Sequence, residues 1–312
     1  MKILVTGGAG FIGSHFADHL IKAGHSVVVI DNLSSGTTLN LPPEAEFIEI
    51  DIRHDKLDEV FRKHQFDAIY HLAAQMDVRY SVKYPLEDLD INIGGSVRLL
   101  ELCRKFGVKK FVFASTGGAI YGEQDVFPAP ESHPMRPISP YGVSKLSVER
   151  YMYFYHNEYQ INGTVLRFAN VFGPRQNPHG EAGVVAIFCS RLLSGEQAFV
   201  NGDGLQTRDY VFVRDVARMA VMALPLEGFQ TFNIGTGIET DVVTLFDRLN
   251  ELTGGKMKRL HKDALAGEQR RSSIDSSYAT TTLGWKPEVN LVEGLDQTVD
   301  FFKRRLVDKN WR

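Results

Sequence analysis

Along most of the first 170 residues, short uninterrupted apolar runs alternate with stretches in which apolar residues return every three or four positions. The first kind suits a strand buried on both faces and the second an amphipathic helix; their alternation marks βαβ units around a parallel sheet. "KILVT" predicts a strand, and "IGSHFADHLIKAG" predicts a helix with Ile12, Phe16, Leu20 and Ile21 on one face. "SVVVID" and "AEFIEID" read as strands, "KLDEVFRKH" as a helix, "DAIYHLAA" as a strand, "GGSVRLLELCRKFG" as a helix and "KKFVFAST" as a strand. A helix follows from Tyr141 to Tyr159, then a strand in "GTVLRFANV". Six strands with helical crossovers predict an α/β fold built on a Rossmann-type, doubly wound parallel sheet.

After Val171 the pattern breaks. Gly, Pro and Asn crowd "GPRQNPHGEAGV", the texture of a loop. Beyond it, short helices ("VVAIFCSRLLSG", "VVTLFDRLNELTG") mix with short strands ("FVNGDG", "TRDYVFV", "QTFNIGTG"). This predicts a dinucleotide-binding domain over 1–170, joined by part of 211–240, and a smaller C-terminal α/β substrate-binding region over 171–312. Composition narrows the class: 312 residues, 43% hydrophobic and 23% charged, are those of a globular chain with a substantial core. A net charge of −3 with both signs interspersed offers no basic face to nucleic acid or to an anionic membrane. No apolar run approaches the roughly 20 residues of a membrane span. Glycines arrive too early in "MKILVTGG" for a secretory segment, and Cys103 and Cys189 lack nearby metal-ligating partners. A cytoplasmic protein with two structural thiols and no metal is expected.

The first chemical feature is "TGGAGFIG", in which Gly7, Gly10 and Gly13 fall between a strand and a helix. Gly7 permits a tight turn, Gly10 lets backbone approach a pyrophosphate, and Gly13 lets helix and strand lie close. Asp31 closes the second strand, where a carboxylate takes ribose hydroxyls and repels a 2′-phosphate; no Arg follows it in "DNLSSG", so NAD is expected rather than NADP. Asp51, ending the third strand, is a helix cap or an adenine contact, and the position of strand ends favours the contact. The second feature is Tyr141 and Lys145, four apart on one helix face, at the sheet edge where the preceding strand ends in Ser115 and Thr116. Such a pair is often only an amphipathic face. Beside an ammonium and an oxidised nicotinamide, however, a phenol with a reference pKa of about 10 is drawn toward phenolate, and so becomes a general base.

Together with "HLAAQ", "STGGAIYG", "SPYGVSK", "LRFANVFGPRQ", "GDGLQTRDYVFVRDVA", "NIGTG" and "LGWKP", these motifs resemble the extended short-chain dehydrogenase/reductases of the nucleotide-sugar epimerase and dehydratase group. The resemblance covers nearly the whole chain and is nearest to bacterial and archaeal UDP-glucose 4-epimerase-like proteins. It implies that Tyr141 removes the proton of a sugar 4-hydroxyl while hydride passes from C4 to NAD. The 4-keto sugar then turns over and hydride returns to its other face, a Ser or Thr relaying the proton, so that NAD is a bound cofactor. The cofactor contacts implied are Gly7, Gly10, Phe11, Ile12, Asp31, Asn32, Ser34, Asp51, Ile52, Leu72, Ala73, Ala74, Asn92, Tyr141 and Lys145. A UDP-sugar is expected on Asn170, Arg175, Val184, Arg208, Glu268 and Ser272, with Asn170 and Arg208 at the diphosphate. The helices "GGSVRLLELCRKFG" and "YGVSKLSVERYMYFYHNEY" carry apolar residues on more than one face, which with the resemblance predicts a homodimer.

This sequence departs from the family where the relay Ser or Thr is usual, at Gly117. A flexible Gly117-Gly118 pair predicts a backbone bulge that lets Thr116 reach the site, with Ser115 as substitute; otherwise both hydroxyls serve strand-end backbone. A 4,6-dehydratase needs an acid and a base directly after its Thr, and Gly117 and Gly118 supply neither. Glu268 stands where the family's Arg-Pro-Gly-Asp has its acid, but that Arg is Leu265 here, leaving Arg270 or Arg271 to compensate or the phosphate less tightly held. Arg175 is a loop salt bridge or a substrate ligand, Asn92 a residue positioning the Tyr–Lys region, and His71 a packed strand-end histidine rather than a base. Ser272 falls where the family places the neighbour of the sugar C2 substituent, and its small size admits both hexoses and N-acetylhexosamines. The expected order is hexose, N-acetylhexosamine, then uronate, the last through a guanidinium at Arg175. The rivals are a nucleotide-keto-sugar reductase with net consumption of NADH and, against an intact Tyr-x-x-x-Lys, a non-catalytic dinucleotide sensor.

Overall fold

The apolar runs of the N-terminal half all become strands of one sheet. The computed structural model describes residues 1–179, 183–264 and 269–307. In chain order come β1 (Lys2–Thr6), α1 (Phe11–Lys22), β2 (Ser26–Asp31), β3 (Glu46–Glu49), α2 (Leu57–His64), β4 (Ala68–His71), α3 (Val78–Lys83), α4 (Pro85–Leu89), α5 (Gly95–Phe106), β5 (Lys110–Thr116), α6 (Gly117–Tyr121) and α7 (Pro140–Tyr159). Then follow β6 (Asn162–Phe168), β7 (Asn170–Phe172), α8 (Val184–Leu193), β8 (Phe199–Asn201), β9 (Thr207–Phe212), α9 (Val213–Met222), β10 (Phe229–Ile234), β11 (Glu239–Asp241), α10 (Val242–Leu252), β12 (Leu260–Lys262), α11 (Ser277–Leu283) and α12 (Leu291–Val307). The main sheet has seven strands in the order β10-β6-β5-β4-β1-β2-β3, all parallel. Chain direction across the sheet reverses at β1, between β2 and β4, which opens a crevice at the carboxyl ends of those strands.

Local chemistry explains the boundaries. Ser139 caps α7, its hydroxyl accepting from Gly142 N at 3.2 Å, and Pro140 takes the first helical position, where no amide is missed. Gly107 ends α5 in the left-handed conformation, φ 75°. Two buried clusters sandwich the sheet: Phe16, Leu20, Val216 and Trp285 on one face, Phe61, Leu100, Val148 and Met152 on the other. A third, with Phe172, Phe188, Phe246 and Phe302, lies among α8, α10, α12 and the small sheet β11-β9-β7.

Three features differ from the pattern-based expectation. "GTVLRFANV" is not one strand: β6 stays in the main sheet while β7, beyond Ala169, pairs with β9. "QTFNIGTG" supplies β10, a seventh strand registered on β6 from Phe229↔Gly163 to Ile234↔Phe168. The helices α3, α4, α6 and α11, of 5 to 7 residues, are too short to show a period.

Candidate active site

At the end of β1 the chain turns sharply. Gly7 has φ +69° and donates its amide to Ile30 O at 2.8 Å; a Cβ there would stand 2.6 Å from Ala73 N. At Gly13 a Cβ would stand 2.2 Å from Gly7 O, so helix and turn meet only because residue 13 is glycine. α1 is preceded by Gly10 at its N-cap position, with no side chain capping its first amides and no acid in its first turn, an end suited to an anion at the amides of Phe11 and Ile12. Asp31, 8% exposed, accepts from Ala9 N at 3.0 Å and Leu33 N at 2.9 Å, so its carboxylate borders the glycine turn. Burial raises its pKa. Ser34 N donates to Asn32 Oδ1 (3.1 Å). Asp51, expected at an adenine, is engaged by the chain's own donors: it accepts from Arg53 N (2.8 Å), Nε (2.9 Å) and NH2 (2.9 Å) and from Asn32 Nδ2 (2.9 Å). Hydrogen bonds from Arg53 hold that carboxyl well below the usual range.

The loop after β4 is tied to the glycine turn through buried side chains. Leu72 N donates to Thr6 O (3.1 Å) and Ala73 N to Thr6 Oγ1 (3.2 Å), with Ala74 following, half-buried. Ser96 Oγ spends its proton on Asn92 O at 2.5 Å, so it can only accept from His71 Nε2 at 2.8 Å. His71 Nδ1 therefore accepts from Thr6 Oγ1 at 2.7 Å, and the ring is a neutral packed group, pushed down to about 3 by burial. Ile52 packs on Gly95, whose Cβ would lie 2.4 Å from Ile52 Cδ1.

Tyr141 and Lys145 stand on the first turns of α7. Tyr141 is half-buried, its backbone amide donating to Ser81 Oγ at 3.2 Å. Lys145 is 4% exposed; its Nζ donates to Ala114 O at 3.0 Å and lies 4.7 Å from the Phe113 ring centroid and 5.8 Å from that of Tyr141. Burial pushes Lys145 down to about 8, against the opposing pull of Asp88 and Glu149. Burial, then the Asp88 charge, drives Tyr141 up rather than toward phenolate, so the chain alone does not prepare the base. Asp88, fully buried, was not singled out by the sequence; neither were Ser81, Ser144 and Gln75, because nothing local signals their long-range partners.

The Gly117-Gly118 pair does not bulge. Both residues open α6, and Thr116 caps it, accepting from Ala119 N at 3.4 Å. What demands glycine is contact with a distant segment: a Cβ on Gly117 would lie 2.8 Å from Ile274 Cγ2, and one on Gly118 3.2 Å from Ser272 Oγ. Ser115 faces the other way. Its hydroxyl donates to Glu149 Oε1 at 2.7 Å, and Glu149 is paired with Arg167 at 2.6 Å, so Ser115 belongs to a buried network and not to a relay.

On the far side of the crevice, Asn170 is exposed at the start of β7 and pairs in register with Tyr210. Arg208 sits in β9 and donates to Thr207 O at 2.8 Å, and Val184 is the first residue of α8. Ser272, 4% exposed, bonds β9 through its amide to Thr207 O (3.2 Å). Arg175 is a loop salt bridge: NH1 reaches Asp18 Oδ2 on α1 at 2.8 Å, with φ 71° at its backbone. Arg270 pairs with Asp203 (2.8 Å) and Arg271 with Glu239 (2.6 Å), so carboxylates engage both candidate substitutes for the missing arginine. Glu268 and Leu265 lie outside the described residues. Among the described residues, no cluster suits a metal ion and no helix is long and apolar enough to cross a membrane.

Comparison with known proteins adds the following. The model of the NAD dependent epimerase/dehydratase family matches residues 3–235. A putative UDP-glucose 4-epimerase of Methanocaldococcus jannaschii is 45% identical over 301 residues, 96% of this chain and 98% of that one. The structure of UDP-glucose 4-epimerase from Thermotoga maritima with UDP-glucose superposes with a TM-score of 0.96 at 50% identity, over 98% of this chain and 100% of that one. The Thermus thermophilus UDP-glucose 4-epimerase complex with NAD gives 0.92 at 40% identity, over 97% and 99%.

Proposed function

Because the chain belongs to the NAD dependent epimerase/dehydratase family, we propose that it is an NAD-dependent UDP-sugar 4-epimerase acting on UDP-glucose and UDP-galactose. The decisive arrangement is Tyr141 and Lys145 on the first turns of α7, at the sheet edge that also carries the glycine turn and Asp31. NAD fits these residues: the uncapped start of α1 suits its pyrophosphate, and the Asp31 carboxylate suits a ribose diol better than a 2′-phosphate. When bound, NAD supplies a reversible hydride acceptor for sugar C4.

The chain's own share is proton transfer at O4. Tyr141 takes the 4-hydroxyl proton at its phenol oxygen and returns it after the sugar has turned over. Lys145, anchored on Ala114 O with its ammonium 5.8 Å from the Tyr141 ring centroid, supplies a positive charge that, together with an oxidised nicotinamide, favours the phenolate. Among the described residues Thr116 Oγ1 is engaged as acceptor of the capping bond from Ala119 N, which leaves its O–H available as a donor for a proton relay. Gly117 and Gly118 carry no acid or base, which sets elimination of water aside. Asn170 and Arg208 bind the diphosphate.

Arg175 NH1 lies 2.8 Å from Asp18 Oδ2, an ion pair that competes with a uronate carboxylate for the guanidinium. Hexose therefore ranks first and N-acetylhexosamine second. The second substrate is supported by one observation: Ser272 Oγ lies against Gly118, so the position that the resemblance assigns to the neighbour of the sugar C2 substituent carries little side-chain bulk. The homodimer is inferred from α7, whose Val143, Tyr151 and Phe154 are 48%, 43% and 48% exposed. Two buried free thiols, Cys103 and Cys189, suit a reducing cytoplasm.

Purified protein given UDP-galactose should form UDP-glucose without net change in NADH absorbance. Stoichiometric NADH consumption would instead identify a reductase. With Ser272→Tyr, the ratio of UDP-N-acetylglucosamine to UDP-glucose turnover should fall; an unchanged ratio removes Ser272 from the pocket.

A further inference from the structure

Asp88 on α4 is wholly buried, and all the side chains bonded to its carboxylate are neutral. Its Oδ2 accepts from Ser144 Oγ at 2.6 Å, and its Oδ1 from Asn92 Nδ2 at 2.8 Å and Gln75 Nε2 at 3.0 Å. These three partners lead to two parts of the site. Ser144 lies between Tyr141 and Lys145 on α7. Gln75 lies in the loop after β4, and Asn92 grips that loop at both backbone groups of Gln75, accepting from its N and donating to its O at 2.9 Å each. A carboxylate kept dry among neutral donors is costly unless a positive charge shares its interior. Lys145 is the buried cation next to its Ser144 partner, and its ammonium is bonded to a backbone carbonyl rather than to an acid.

We propose that Asp88 is a positioning residue for the reaction: through Ser144 it fixes the turn that carries Tyr141 and Lys145, through Gln75 and Asn92 it fixes the cofactor-edge loop, and its charge holds the Lys145 ammonium. This rests on the reading of Tyr141 and Lys145 as the proton-transfer pair. The groups that bear electrostatically on Lys145 are Asp88 from α4, Glu149 and Tyr141 from α7, and His71 from β4, with Glu149 itself balanced by Arg167 of β6. Asp88 is the foremost group opposing the loss of the Lys145 proton, and it also raises Tyr141. Removing its charge lowers both, so both limbs of a pH–rate profile must move the same way.

The test uses the full-length protein with its cofactor. In Asp88→Asn, both limbs of the kcat profile should shift to lower pH by on the order of half a unit. The Nζ resonance of Lys145 in [15N]lysine-labelled protein, assigned by its loss in Lys145→Met, should titrate lower in the same sense. Ser144→Ala keeps the charge and loses one tether, so kcat should fall roughly 5-fold with KM and both limbs unmoved. Unshifted limbs together with an unshifted Lys145 titration in Asp88→Asn overturn the electrostatic role. If Asp88→Asn does not fold, wild-type kcat in Ser144→Ala overturns the positioning role. Failure of the epimerase reading would show separately, as absent turnover in the unsubstituted protein, while the Lys145 titration still reports on Asp88.

Discussion

Ser115 and Thr116 are neighbours of similar chemistry with opposite surroundings, because successive residues of a strand face opposite sides of the sheet. Ser115 gives its proton to buried Glu149, whereas Thr116 uses only a lone pair, as the cap of α6. Thr116→Val should therefore lower turnover strongly, by on the order of 100-fold. Ser115→Ala should leave kcat nearly intact and cost about 1–2 kcal/mol in urea unfolding, since Glu149 loses a buried donor. Tyr141→Phe should keep fold and NAD binding and lose on the order of 100-fold or more in turnover. Wild-type rates there would remove Tyr141 from the chemistry. His71 and His15, buried and both pushed down to about 3, stay neutral in the fold, whereas in the unfolded chain they take up protons near the ordinary histidine value of 6.5. Below that pH the unfolded state binds more protons than the native one, so stability is lost as pH falls from 6.5 toward 3, at most about 1.4 kcal/mol per pH unit for each histidine. Urea midpoints should decline between pH 7 and 5, before the carboxylates titrate.

At the scale of elements, the segment 269–276 lies on α6 and the loop after it. Gln269 Nε2 donates to Gly122 O, Ser273 N to Gln124 Oε1 at 3.1 Å, and Ile274 bridges Ala129. Glycines 117 and 118 exist to admit this segment, and a methyl group at Gly117 must displace a buried Ile274. Gly117→Ala should destabilise by about 1–3 kcal/mol, with most of that cost disappearing in an Ile274→Ala background, where the colliding atoms are gone. Full additivity in this double-mutant cycle would mean that the glycine is needed for another reason.

Across the whole molecule, the sheet carries cofactor chemistry on its carboxyl edge, and the helices on one flank carry an unusual load of exposed apolar surface. Leu86 and Leu89 of α4 are 81% and 50% exposed, continuing the patch formed by Val143, Tyr151 and Phe154 of α7. Light scattering at micromolar concentration should give the mass of a dimer, and charged substitutions at Tyr151 and Phe154 should shift it toward the monomer. A monomer from the unsubstituted protein would count against the inference drawn from these helices.

The order of strands and helices, the glycine turn and the Tyr141–Lys145 turn were legible in the chain itself. Each depends on a short spacing: the two-residue period of a strand, the i,i+4 neighbours of a helix, or three glycines between a strand and a helix. What spacing cannot carry is which distant groups meet. Asp88 with Ser144, Ser115 with Glu149, Arg175 with Asp18, Asn32 with Asp51, the seventh strand and the contact that requires Gly117 were decided only when the sheet closed. Buried donors and acceptors must all find partners, and in the folded chain those partners come from whichever element the packing brings near, not from the next residue along.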